Sequence, residues 1–288
     1  MIATILQGGL GNQMFMYAMV RAMALRNGTS AVFNIKDGFA HDYAYHRKLE
    51  LLNFNIHLER KSRITFEYPF SRYSLYASKN LGFNIFAPSY KFIKEKSPLR
   101  FEKELIECKE RNLFLEGYWQ SEKYFEDFRD VIRDDFIISM PIDDCLKEEL
   151  RQLKAYNRNL VFIGVRRYQE CHSLAEGILL DESYYNKAIE LVESKVSSPV
   201  FVVFTQQQEW ARNHLRSKNN IVFVAPKEGD NSSVKDMYLM TNCNHAIISN
   251  SSFYWWGAWL SKANENGIVV APNNFLNKDS VCDKWLRL

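Results

Sequence analysis

Met1-Ile-Ala-Thr-Ile-Leu-Gln-Gly8-Gly9-Leu-Gly11-Asn12-Gln13-Met-Phe15-Met-Tyr17-Ala18 opens the chain with a short apolar run, a glycine turn and the start of a helical pattern. Strand, turn and helix in that order begin a βα unit. Three glycines within four positions allow positive φ and close approach of the backbone to a bound group. The helix start behind them offers unbonded N–H groups to an anion. A tight connection with no ligand satisfies the same letters. The spacing lacks the third glycine of G-x-G-x-x-G and the lysine of G-x-x-x-x-G-K-[ST], so it supports neither a dinucleotide fingerprint nor a P-loop.

Farther along, apolar runs at 3–6, 31–35, 112–115, 160–165, 200–204, 221–224, 245–249 and 268–271 alternate with helical patterns at 13–25, 122–136, 182–194, 207–215 and 233–241. This α/β alternation predicts two Rossmann-like halves of parallel strands and crossover helices. In such sheets ligands sit outside the carboxyl ends of the strands. The segment 37–100 is rich in Tyr, Phe and basic residues without a period, and predicts irregular structure, short helices and a substrate wall. A charged helical pattern and a turn within 143–159 supply the boundary, which divides the chain into domains 1–154 and 155–288.

With 288 residues, 47% apolar and 25% charged, the chain has the composition of a folded globular protein. A net charge of +3, dispersed along the chain, argues against nucleic acid as a partner. Lys94, Lys96 and Arg100 lie in a basic stretch that reads as a solvated loop or as a contact for a membrane surface or phosphorylated ligand. Cys108, Cys145, Cys171, Cys243 and Cys282 are scattered, odd in number and without a C-x-x-C pair, the pattern of reduced thiols. No signal-peptide pattern and no membrane-length apolar run is present, so a cytoplasmic protein with at most peripheral contact to the inner face of the membrane is expected.

Two later stretches carry chemistry. After the run 160–165 come Arg166 and Arg167, whose side chains leave the strand end on opposite faces. One can enter a crevice and hold a diphosphate through bidentate, charge-assisted bonds, and the other must pair structurally; a salt-bridged surface pair is the alternative. Asn250-Ser251-Ser252-Phe253-Tyr254-Trp255-Trp256-Gly257-Ala258 follows the run 245–249 and forms a second strand-to-helix junction. It reads as a phosphate cradle or as a plain serine cap ahead of a packed aromatic helix, with the tryptophans in the core.

Together with Gly117-Tyr-Trp-Gln-Ser-Glu-Lys-Tyr-Phe125, Tyr184-Tyr185, Asp236-x-x-Leu239-Met240 and Cys243-x-His245, these motifs resemble the α1,2-fucosyltransferase family in order and over nearly the whole chain. The family comprises inverting, GDP-fucose-dependent glycosyltransferases. The resemblance implies a GT-B-like fold, two Rossmann-like domains facing a cleft, that transfers L-fucose from GDP-fucose to the 2-hydroxyl of a terminal β-galactoside in an oligosaccharide or surface polysaccharide. Carried over by position, Arg166 grips the diphosphate, Asn250, Ser251, Ser252 and Phe253 line its far side, and Gly9, Gly11 and Asn12 approach from the first domain. Asp236 is a candidate guanine contact or, alternatively, a charge near a helix N-terminus. The acceptor is a galactoside-containing glycan, which a lipid carrier could hold.

The chain departs from the family pattern at specific letters. His-x-Arg-Arg-Gly-Asp-Tyr is Gly164-Val-Arg166-Arg167-Tyr168-Gln169-Glu170 here, Phe-Ser-Asp-Asp is Phe204-Thr205-Gln206-Gln207, and the serine before the paired tryptophans is Tyr254. Glu170, His172, Glu176 and Asp181 are the acidic or basic groups near enough in sequence to serve as catalytic base, with Glu170 the nominee. No D-x-D triplet occurs, so metal-independent transfer without a cofactor is expected. The altered loop keeps two other readings open: a different GDP-sugar donor, or a catalytically silent GDP-sugar or glycan binder.

Overall fold

The structure, a computed structural model, describes residues 1–40, 42–43, 46–56, 63–65, 90–96, 100–156, 159–167, 179–275 and 278–288. Packing divides it into two units, Met1–Ser139 and Met140–Leu288.

In the first unit, β1 (Ile2–Ile5), β2 (Ala31–Asn34), β3 (Arg63–Thr65), β4 (Lys91–Lys94) and β5 (Leu113–Glu116) form a parallel sheet in the order β3-β2-β1-β5-β4. The order turns back beside β1, so the crevice for a ligand lies between the carboxyl ends of β1 and β5. The helix Leu10–Arg26 is buried along most of its length. Its residues are apolar all round rather than striped, which suits a helix covered on every side. Two of its buried polar groups share one acceptor: Tyr17 Oη and Arg21 Nε both donate to Asp135 Oδ2, at 2.9 and 3.0 Å.

The second unit holds β6 (Leu160–Gly164), β7 (Val200–Phe204), β8 (Ile221–Phe223), β9 (His245–Ile248), β10 (Val269–Ala271) and β11 (Leu286–Arg287), all parallel, in the order β11-β10-β9-β6-β7-β8. Counted from β6 as the first strand, this is the doubly wound 3-2-1-4-5-6 arrangement, with its switch point between β6 and β9. β6 and β7 are buried throughout, as unbroken apolar runs covered on both faces should be. The helix Glu182–Glu193 starts at Asp181, whose carboxylate accepts the Tyr184 N–H at 3.1 Å, and it lays Tyr185, Ala188, Ile189 and Val192 on the sheet.

Three expectations need correction. The division falls at 139/140 and not at 154/155. The helix Asp144–Tyr156 belongs to the second unit because it buries Leu146, Leu150 and Leu153 on one face and ties its polar side there. Glu149 pairs with Lys227, Asp143 with Lys235 at 3.6 Å, and Lys154 donates to Asn242 at 3.0 Å. The segment 37–100, expected to be irregular, supplies β3 and β4. The pattern at 122–136 is two short 3₁₀ turns, Glu122–Tyr124 and Glu126–Phe128, before the helix Arg129–Asp135.

Candidate active site

The first switch point is built around the glycine turn. Of its three glycines only Gly8 takes a positive φ, +79°, and a side chain there would press on Asn12. Gly9 is extended at φ −70° and caps the helix, and Gly11 lies inside it, so the conformational freedom is used at Gly8. Gly9 also has open space where a Cβ would stand, which leaves its backbone accessible to a ligand. Gln13 holds the turn closed. Its Nε2 donates to the carbonyls of Gly8 and Lys48, both at 2.9 Å, and its Oε1 accepts the Glu50 N–H at 3.0 Å. Asn12 Oδ1 accepts from Gln120 Nε2 at 2.9 Å, joining the segments that leave β1 and β5.

Beyond β5 the chain turns sharply. Trp119 is buried and has a positive φ of 57°, an uncommon state for an aromatic residue. The Glu95 carboxylate stabilises that turn by accepting the N–H groups of Tyr118 and Trp119 at 2.8 and 3.2 Å, and burial pushes its pKa up. Gly117 is required beside it, since a Cβ would meet Glu95 Cβ at 2.5 Å. Gln13, Glu95 and Trp119 were not among the expected site residues. Gln13 and Trp119 stand within quoted motifs, but nothing in the letters shows which backbone groups they hold or satisfy.

In the second unit, register places Gly164 of β6 opposite Ile248 of β9, so Arg166 and Asn250 emerge from adjacent strand ends. The two arginines have different surroundings. Arg166 is exposed. The Arg167 guanidinium lies 4.4 Å from the centre of the Trp210 ring, and its backbone N–H donates to Gln207 Oε1 at 3.4 Å. Arg167 therefore has a cation–π contact as its structural partner. Gln207, one of the amides found where the family has acids, thus retains a hydrogen-bonding role.

Ser251 is the extended N-cap of the helix Ser252–Leu260, but its hydroxyl makes no capping bond. The Ser252, Phe253 and Tyr254 N–H groups belong to the first turn, where no carbonyl within the helix can accept them. With Arg166 on the neighbouring strand end, this junction has the donors and the positive charge that an anion needs. Phe253 is half-buried, whereas Trp255, Trp256 and Trp259 are core residues. Trp255 Nε1 donates to Ser280 O at 2.6 Å.

Asp236 lies on the helix Ser232–Thr241 beyond its first turn, which removes the alternative of a charge at the helix terminus. Its Oδ1 is buried without a hydrogen-bond partner. Burial raises its pKa to about 7, with the Lys227 charge opposing and Glu149 assisting the shift. Asp181 is committed to its N-cap bond with Tyr184. Glu170, His172 and Glu176 lie outside the described residues. Among the described residues no group of three His, Cys, Asp or Glu side chains could hold a metal, and no helix is long and apolar enough to cross a membrane.

The sequence profile of Glycosyl transferase family 11 matches residues 1–285, and the chain belongs to that family. It is 29% identical to an alpha-1,2-colitosyltransferase of Escherichia coli, over 98% of this chain and 97% of that one. It is 28% identical to the O-antigen biosynthesis glycosyltransferase WbnK of Escherichia coli, over 98% and 99%. A galactoside alpha-(1,2)-fucosyltransferase 1 of Saimiri boliviensis boliviensis matches at 28% over 58% of this chain, which spans about half, 47%, of that enzyme. Among solved structures, fucosyltransferase NodZ from Bradyrhizobium aligns over 90% of this chain and 92% of its own, with a TM-score of 0.52 at 15% identity. The fold is GT-B-like, and the chain is a glycosyltransferase.

Proposed function

We propose that this glycosyltransferase moves L-fucose from GDP-fucose to the 2-hydroxyl of a terminal β-galactoside, with inversion and without a metal. The observation that carries the reading is the junction at the β6 and β9 ends, where Arg166 stands beside a helix start whose N-cap serine makes no side-chain capping bond. A sugar diphosphate gains negative charge as its bond to the sugar carbon breaks, and preorganised donors at that point lower the barrier. The acceptor oxygen then bonds to the opposite face of that carbon, and its proton passes to a base for which Glu170 is our nominee. Asp236 accepts from the N1 and N2 donors of guanine, which answers its unpartnered oxygen.

The colitosyltransferase relative supports a second reading, in which the same site takes GDP-colitose. Both are tested by incubating the protein with EDTA, each donor and a panel of β-galactosides such as lactose, and reading product linkage by NMR. An α1,2-fucosylated product supports the first reading and an α1,2-colitosylated product the second. GDP-sugar binding with no product from either donor would favour a silent binder.

A further inference from the structure

Two of the letters that depart from the family pattern meet in space. A Cβ built on Gly164, at the end of β6, would lie 2.3 Å from Tyr254 Cγ and 2.4 Å from Cδ1, so the tyrosine ring occupies the room that a side chain at 164 needs. No rotation of a larger side chain relieves this, because the clash is with the first carbon. Tyr254 is 7% exposed, and its hydroxyl donates to Phe204 O at 2.9 Å, with Val165 O at 3.4 Å. The same Phe204 carbonyl accepts the Val165 N–H at 3.0 Å, and Gly164 O accepts the Ser249 N–H at 3.1 Å. One side chain therefore pins the ends of β6 and β7 from the helix that follows β9. Val165 leads directly into Arg166, and Phe253 packs on the same ring at 5.4 Å between centroids.

We propose that Gly164 and Tyr254 are one coupled unit, with Tyr254 a positioning residue that sets the backbone carrying Arg166 and the orientation of Phe253. The bulk that the family pattern carries on the strand, as histidine, is carried here on the helix, as tyrosine, with glycine making the room. Neither letter can change alone. The proposal rests on reading this crevice as the nucleotide site, and it adds to that reading which residues hold the site's floor.

The test is a double-mutant cycle on Gly164→His and Tyr254→Ser, read by thermal melting and by calorimetric titration with GDP. Each single variant is expected to melt lower and to bind GDP about tenfold more weakly, and G164H/Y254S to recover most of both losses. Losses that simply add in the double variant would overturn the proposal. Should Gly164→His not fold, Gly164→Ala takes its place, since the Cβ alone makes the clash. Tyr254→Phe keeps the ring and removes the hydroxyl. It is expected to melt within a few degrees of the native protein while GDP binding weakens and kcat falls, a split that a purely structural role does not produce; unchanged GDP affinity and kcat would contradict the positioning role. A native protein that does not bind GDP would count against the nucleotide reading, and the melting cycle would still decide the coupling.

Discussion

At the end of β1 the first unit closes its switch point with neutral amides, Gln13 bridging Gly8, Lys48 and Glu50 and Gln120 reaching Asn12. At the end of β6 the second unit leaves an exposed guanidinium and an uncapped helix start. Both crevices occupy the same place in a parallel sheet. In one, most of the polar groups are already satisfied by the protein, so changing them alters stability. In the other, an exposed arginine stands beside a helix start whose serine makes no capping bond, so on the proposed reading changing it should alter binding and turnover while the fold persists.

The largest expected effect follows from that contrast. Arg166→Ala should lower turnover by about 10²–10³-fold, the scale of losing one preorganised charge stabiliser. Its melting temperature should hardly move, because exposed side chains contribute little to stability. Steady-state kinetics and a thermal melt on one preparation check both. Near-normal turnover would erase the distinction between the two crevices. Gln13→Ala should behave in the opposite way, losing about 2–3 kcal/mol in denaturant unfolding because three bonds to a buried side chain vanish and two carbonyls and an N–H lose a partner.

A third expectation concerns Asp236 and pH. Its folded pKa, about 7, is raised from 3.8, so between those values the folded protein holds a proton that the unfolded chain has lost. Stability therefore falls as pH rises through that window. Asp236→Asn should raise the melting temperature more at pH 8 than at pH 5. If the carboxylate accepts from guanine, binding requires the ionised form, and GDP affinity should drop about tenfold from pH 8 to pH 6 in the native protein but stay flat in the variant. The smallest effect is expected at Arg167→Ala. Loss of the guanidinium over the Trp210 ring should cost about 1 kcal/mol of stability, measured by denaturant unfolding.

Much of this was legible in the letters. The eight apolar runs all became strands within a residue or so, because parallel strands covered on both faces must be apolar throughout. The strands that were not read, β3, β4 and β11, are all at sheet edges. Lys-Phe-Ile-Lys at β4, with both lysines exposed, lacks the continuous run that marks a buried strand. That one of the two arginines would find a structural partner could be read from strand alternation, but Trp210 as that partner of Arg167 could not, since the fold brings it there on the helix Gln208–His214. The coupling of Gly164 to Tyr254 was visible only as two separate departures; their contact depends on the register of β6 against β9.

On the proposed reading, the second unit's crevice holds the nucleotide diphosphate through Arg166. Calorimetric titration of GDP into the native protein, Arg166→Ala and Asn12→Ala tests it most directly. Binding is expected to weaken at least tenfold in Arg166→Ala and to change by less than about threefold in Asn12→Ala, since a charge-assisted contact is lost in one and a neutral one in the other. Native affinity in Arg166→Ala, or the larger loss in Asn12→Ala, would contradict it.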